Sequence, residues 1–312
     1  KGKEKPAEDK KVKKSGGVIV PLVFYTPETG WAASLPLIYY YRGKDALPDS
    51  RPSNLNIATF YSENKQAVFQ LAADHFFKDE VYRGIGSATY SRYPQKFFGL
   101  GNDTSRSESE EYVSRYYKLD GKLLRKLYDG YYLGLQGEAE NNEVLEPEAG
   151  GVLATGGVRG SEGGVFTGAG IIAIKDTRDN VFYPSTGDYH QLSYSVLSTA
   201  LGGDFDYGRY YIDLRRYISV TSSQVLGLQA YGEFLTGEPP FNRLAKIGGQ
   251  NLLRGHFQGR YRDMDMLAAQ AEYRVQVWKR VGLAGFAGVG QVADAIDNFD
   301  FAETKYAVGG GL

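Results

Sequence analysis

The chain has no cysteine, which excludes disulfides and any zinc or redox site built on thiolates. It has only three histidines, His75, His190 and His256. They stand too far apart for metal-ligand spacing, and no serine or cysteine nucleophile motif lies near them. Asp103, Asp176, Asp179 and Asp213 fall in no pattern that marks an acid/base pair. No catalytic residue, no metal and no cofactor are therefore expected, and the chain is read as a non-enzyme. Charge of one sign is lacking too: 36 Lys and Arg stand against 37 Asp and Glu, a net charge of −1. That removes the bulk electrostatic argument for a nucleic-acid partner. No stretch comes near the roughly 18 apolar residues of a transmembrane helix. The mean hydropathy of −0.38 still leaves a transmembrane barrel open, because strands that alternate apolar and polar residues average out as polar.

Present in quantity are 25 Tyr, 16 Phe and 40 Gly, a composition of strands and tight turns. Alternation begins at Val18 and continues along the chain. Leu267, Ala269, Ala271, Tyr273, Val275 and Val277 fall on one face, and Gln270, Glu272, Arg274 and Gln276 on the other. Likewise Tyr210, Ile212 and Leu214 oppose Arg209, Asp213 and Arg215, and Leu226, Leu228, Ala230 and Phe234 oppose Gln229 and Glu233. A soluble sandwich alternates as well. Two features favour the membrane. The segments run about 10 to 13 residues, the length of a tilted span. Many also end in aromatics, such as Tyr39 to Tyr41, Phe76 with Phe77, and Tyr131 with Tyr132, as in the girdles at membrane interfaces.

The expected fold is all-β: a transmembrane antiparallel β-barrel with about 14 strands in this chain, from 17–26 to 303–312. The long connections, near 92–109, 141–165 and 235–262, then share one side, the outer side of such a barrel. Residues 1–16, charged and nearly free of apolar side chains, are expected to form a disordered linker ahead of a barrel at 17–312. The Gly-rich piece from Gly150 to Gly160 lacks the Gly-Lys-Ser/Thr ending of a phosphate loop and is expected to be an outer loop. The connection at 235–262 is the outstanding segment, since a loop of about 25 residues in a compact fold calls for a role of its own.

Three groups of residues carry a family resemblance. The first is Asp176, Thr177, Arg178, Asp179, Asn180, Tyr183, Pro184 and Gly187, a strand end followed by a charged turn. The second is Gly248 and Gly249, then Arg254, Gly255 and Phe257, with His256 between the last two. The third is Ala271, Glu272, Tyr273 and Arg274, then Phe286, Gly288 and Gly290, and then Gly309 to Gly311. Together, in this order, they resemble the bacterial surface antigen barrels: the BamA/TamA-type outer-membrane insertases and their two-partner-secretion relatives. Tyr25 to Gly30 resembles a turn of short members. The resemblance covers 17–312, and Gly288 stands where the family has an acid.

The resemblance implies a barrel of about 16 strands, two more than are counted here, in a short member without periplasmic POTRA repeats. It implies that the loop before Glu272 folds back into the lumen with Arg254 at its tip and Glu272 as its partner on the wall, beside Arg274. A guanidinium away from bulk water calls for a carboxylate, and a bidentate pair also fixes direction. The implied location is the bacterial outer membrane. The implied partners are outer-membrane lipid and client or partner outer-membrane or periplasmic proteins, and the implied role is insertion or translocation of proteins. The alternative is a passive channel, or a barrel that anchors a partner protein.

Overall fold

A computed structural model describes residues 15–26, 30–43, 50–78, 80–249, 251–279 and 281–312. The strands are β1 (Ser15–Ile19), β2 (Leu22–Thr26), β3 (Gly30–Ser34), β4 (Leu37–Tyr41), β5 (Ser53–Ser62), β6 (Ala67–Phe77), β7 (Tyr82–Phe97), β8 (Glu110–Tyr128) and β9 (Tyr131–Leu145). They continue as β10 (Gly163–Asp176), β11 (Gly187–Leu197), β12 (Tyr207–Thr221), β13 (Gln224–Gly237), β14 (Ala245–Ile247), β15 (Tyr261–Asp263), β16 (Asp265–Trp278), β17 (Val281–Ala293) and β18 (Lys305–Gly311). All but β14 and β15 join one antiparallel sheet of 16 strands.

The two strands beyond the expected 14 have one cause. Each of the first two expected strands is broken at a proline, which has no N–H to give to a ladder. Pro21 divides β1 from β2 and Pro36 divides β3 from β4, so β1 pairs β4, β2 pairs β3, and β5 spans both halves. The sheet also starts at Ser15, ahead of the expected 17; residues 1–14 of the expected linker lie outside the described residues, as do 27–29 of the Tyr25 to Gly30 turn. The strand expected at 110–120 runs on to Tyr128. Asp120 and Gly121 do not turn but stay in register with Ser87 and Gly86 on one side and Glu138 and Gly137 on the other.

Successive side chains in a strand point to opposite faces, so one face of every strand is common to the whole sheet. The expected apolar face is the outer one: Leu267, Tyr273 and Val277 on β16 are exposed at 43, 40 and 52 %. The charged face turns inward. The sheet curls around it, since inward side chains far apart in the ladder touch: Arg51 bonds Asp176, and Asn102 bonds the backbone of Val292. Among the described residues β1 pairs only with β4 and β18 only with β17, so the sheet ends in two edges.

Connections sort by side. Tight ones, such as 129–130 and 222–223, join β8 to β9 and β12 to β13 at one end, here the turn end. The long ones, 98–109, 146–162 and 198–206 and the connection from β13 to β16, gather at the other, the loop end. Apolar clusters pack at both ends. At the turn end Phe76, Leu124, Tyr132, Ile172 and Ile174 fill the lumen. At the loop end Leu153 of the Gly-rich loop packs with Phe97, Tyr112 and Phe241, so this expected outer loop is part of a packed cap. Glu110 fixes it by accepting the amides of Val152 and Leu153 at 2.7 and 3.0 Å.

Candidate functional site

The long connection between β13 and β16 does not stand out from the rim. β14 and β15 pair with each other just inside the loop end, and the chain between them descends into the lumen. Arg262 on β15 locks this hairpin. Its guanidinium, 3 % exposed, donates to the carbonyls of Lys96 at 3.2 Å and Gly259 at 3.3 Å and lies over the rings of Phe97 and Phe241. Below it, Ile247 and Leu253 bury completely against Met266, Ala268 and Val292 of the wall. Gly248 is needed for the descent, because its φ is +111° and a Cβ there would collide with the carbonyl of Phe257. Gly249 donates to the carbonyl of His256 at 3.0 Å, closing the tip.

Arg254 stands at that tip. Its Nη2 donates to Glu272 Oε2 on β16 at 2.6 Å, and its guanidinium carbon lies 3.7 Å from the centre of the Phe286 ring on β17. Gly255 follows at φ +105°. His256 turns aside and bonds the Tyr306 carbonyl on β18 at 3.0 Å. Phe257 is half-exposed and packs edge-on against Phe98 of the next loop, 5.9 Å between centroids. Gly288, where the family has an acid, faces Leu253 instead of a guanidinium: a Cβ there would meet Leu253 in ordinary contact at 3.6 Å, while one at Gly290 would crowd Ile247 and Leu253 at 3.1 and 3.2 Å. The bare wall makes room for Leu253. Fully burying an Ile or Leu contributes about 1.5–3 kcal/mol, whereas a half-exposed ion pair contributes about 0–1 kcal/mol. Ile247 and Leu253 therefore hold the loop down, and Arg254 sets where its tip points.

The motif from Asp176 to Gly187 reaches the same place from the opposite end. The connection at 177–186 after β10 bends under the sheet and into the lumen. Asp179 organises it, accepting from the backbone of Asn180, Ser185 and Thr186 at 3.0, 2.9 and 3.1 Å and from the Ser185 hydroxyl. Burial works against the Asp179 charge, but these hydrogen bonds outweigh it and hold the carboxyl below the usual range. Asn180 accepts from Phe182 and Tyr183 at 2.8 and 3.1 Å. Gly187 ends the turn at φ +96°, where a Cβ would strike the Thr177 carbonyl. The result places Tyr183 and Pro184 beneath Arg274: the ring lies 4.4 Å from the guanidinium, and the Pro184 carbonyl accepts from Arg274 Nη2. Arg274 in turn lies 3.9 Å from Glu272. One chain of contacts, Arg254 to Glu272 to Arg274 to Pro184, thus joins a loop from one end of the lumen to a turn from the other. The family resemblance implies Arg254 beside Glu272; neither it nor the alternation gives a sign that the turn meets them.

Asp176 and Arg178 of the same motif serve a different centre. Asp176 is fully buried and receives three guanidiniums: Arg178 Nε at 2.9 Å, Arg51 Nη1 at 3.1 Å and Arg83 Nη1 at 3.5 Å. Arg83 also makes a bidentate pair with Asp74, at 2.8 and 2.6 Å. Arg51, Arg83 and Asp74 went unrecognised in the sequence, although Asp74 and Arg83 fall on the inward face of the alternation. The charges of the polar face pair with one another: Arg209 pairs Glu233 at 2.7 Å and Arg215 pairs Asp213 at 2.6 Å. Arg243, near the start of the inserted connection, joins it by bonding Glu138 at 3.3 Å and Glu140 at 2.9 Å on β9. Between these pairs and the loop tip a polar cavity of about 980 Å³ remains, lined among others by Arg209, Tyr231, Lys246, Arg254 and Glu272. No cluster of three or more metal-ligating side chains occurs among the described residues.

Among solved structures the chain is similar to BamA from Haemophilus ducreyi lacking POTRA domains 1-3, at 15 % identity and a TM-score of 0.58, covering 94 % of this chain and 63 % of that one. It is similar to CdiB from Acinetobacter baumannii at 13 % identity and a TM-score of 0.57, covering 96 % and 53 %, and to CdiB from Escherichia coli at 10 % and 0.57, covering 95 % and 55 %. At such identities the likeness is one of fold, and the chain spans less than two thirds of the length of each. No curated protein sequence matches it. The Omp85 superfamily domain matches residues 52–312, which hold both lumenal motifs and every strand from β5 onward. The chain is an outer-membrane β-barrel protein that belongs to the Omp85 superfamily.

Proposed function

We propose that this chain inserts or translocates proteins at the outer membrane, with the inserted loop as the part that holds the lumen in its working arrangement. The observation that carries the reading is the depth of the loop. It descends to the middle of β16, ends on a single directed bond from Arg254 to Glu272, and meets a turn that rises from the other end. A loop that merely covered a pore could stop at the rim, where Arg262 and the apolar cap already pack. The tip bond is wet and easily exchanged, which suits an element that yields when a client engages. Membership of the Omp85 superfamily supports the same reading. The client and the partner proteins are identified by assay. The protein is reconstituted into liposomes and unfolded outer-membrane barrels are added; faster client folding than in empty liposomes is expected. Equal rates for every client would exclude the insertion reading.

A plugged channel is favoured by one specific observation, the polar cavity of about 980 Å³ beside the loop tip. In planar bilayers that reading predicts ion conductance that rises when Arg254→Ala frees the tip. A sealed lumen in both proteins would dismiss it.

A further inference from the structure

The outer face of the sheet is apolar, but it is not uniform. Across β12, β13, β16, β17 and β18 runs a groove of about 570 Å³. Its floor is made of the short side chains Ala230, Ala269, Ala271 and Ala287, which the register sets side by side: Ala230 opposite Ala269, and Ala271 opposite Ala287. Leu214, Leu228 and Val289 flank the alanines in the groove, and two residues along β16 in either direction Leu267 and Tyr273 stand out from the same face beyond it. Tyr273 is steadied by donating to Gln224 at 2.7 Å. Five strands at about 4.8 Å spacing give the groove a length of about 19 Å, with the alanines flooring about 10 Å of its middle, against about 15 Å for a chain that reaches through one leaflet.

One end of the groove is cationic. His190 on β11 and Arg216 on β12 line it. Neither makes an ion pair or side-chain hydrogen bond among the described residues. Asp188, the cross-strand partner of Arg216, adds an attractive field at both but gives its hydrogen bond to Lys175 at 2.6 Å. Lys175 lies over the Tyr131 ring, and Tyr131 stacks on Tyr128, so this patch continues an aromatic belt along the turn end. Such belts mark headgroup level, where an outward arginine is tolerated; toward the midplane it is costly. A second outer groove, of about 510 Å³, is lined by Phe69, Tyr90, Tyr117 and Leu119 and has no such end: its one cation, Lys118, turns to the lumen and pairs with Glu138 at 3.5 Å.

We propose that the first groove binds an anionic phospholipid, with its phosphodiester on Arg216 and His190 and one acyl chain along the alanine floor. A guanidinium that no carboxylate hydrogen-bonds, at headgroup depth and beside an imidazole, presents donors that a phosphate oxygen fills, while the alanines give the acyl chain a trough that larger side chains would occupy. The proposal does not depend on whether the barrel inserts proteins.

The test is lipid retention. The protein is purified in detergent, incubated with phosphatidylglycerol or phosphatidylethanolamine, and the bound lipid is counted by native mass spectrometry. Phosphatidylglycerol retention is expected to exceed phosphatidylethanolamine retention at least fivefold. It should fall at least fivefold in Arg216→Leu and in Ala271→Phe, which fills the floor, and be kept in Arg216→Lys. Heat-modifiable gel mobility checks that each variant is folded; were Ala271→Phe unfolded, Ala269→Val fills the floor more gently. Equal retention of the two lipids, or retention unchanged in Arg216→Leu, would overturn the proposal. So would full displacement by inorganic phosphate at millimolar concentration, because a headgroup site without a chain trough has no preference for a lipid.

Discussion

Two arginine–carboxylate centres hold the lumen, and they are built on opposite terms. At the turn end Asp176 is wholly buried and shared by Arg51, Arg83 and Arg178, with Asp74 completing the set. At mid-height Arg254 and Glu272 make one bond between side chains that stay 32 and 33 % exposed. The first centre joins β6, β7 and β10 and the chain entering β5, and no member can leave without stranding a charge away from water. The second joins a loop to a wall and has water at hand to replace either partner. Burial, more than the chemistry of the pair, separates a permanent joint from a releasable one.

The comparison can be broken most forcefully at Asp176. Asp176→Asn keeps the shape but takes from three guanidiniums the carboxylate they share, and a loss of about 3–5 kcal/mol is expected, read as a lower urea midpoint in detergent. A loss under about 1 kcal/mol would mean that the buried centre is no stronger than the wet one. Next come the apolar anchors of the loop. Leu253→Ala and Ile247→Ala should each cost about 2–5 kcal/mol of loop docking, seen as protease cutting between Gly248 and Gln258 while the sheet survives.

Arg254→Ala sharpens the contrast because it should barely move the urea midpoint, by about 0–1 kcal/mol, yet speed hydrogen exchange at Gly249 and His256. A double-mutant cycle with Glu272→Gln gives the coupling directly; no coupling would mean that the tip is positioned by the apolar anchors alone. The smallest effect concerns pH. The Asp179 carboxyl is held below the ordinary range, so the stability it gives the turn is present above the unfolded value, about 3.9, and is lost only as pH falls through the lower folded value. Protection of the Ser185 and Thr186 amides should persist to about pH 4 and vanish below it. Asp179→Asn should abolish that transition; an unchanged acid profile in the variant would assign it to another group.

Much of this was legible because a strand repeats every two residues. That period placed Glu272, Arg274, Arg209 and Asp213 on one face and Leu267 and Tyr273 on the other, with no knowledge of what lay opposite. The contact of Arg254 with Glu272 bridges 18 residues and came with the loop motif. The contact of Arg274 with Pro184 bridges 90 and did not. A turn that folds inward has the same composition as one that folds outward, so Tyr183 and Pro184 read as an ordinary rim connection. The Asp176 centre was hidden for the same reason, since Arg51 lies 125 residues away. Gly288 reads as a missing acid in a motif; only the wall shows that it faces Leu253, and that Gly290 beside it leaves that side chain its space. The prolines were visible, and their effect on the first two strands follows from the N–H they lack.

Asn102 adds a dimension of time. Its side chain reaches 190 residues along the sequence to the peptide of Val292, where it both accepts from the amide, at 3.1 Å, and donates to the carbonyl, in the manner of one more strand. Neither bond can exist until β17 has been laid down and the sheet has come round to meet the loop after β7. Closing so long a span costs entropy that only the strands between can offset. The amide of Asn102 is therefore among the last bonds to form and reports on arrival rather than departure: Asn102→Ala should leave the folding rate nearly unchanged and hasten unfolding.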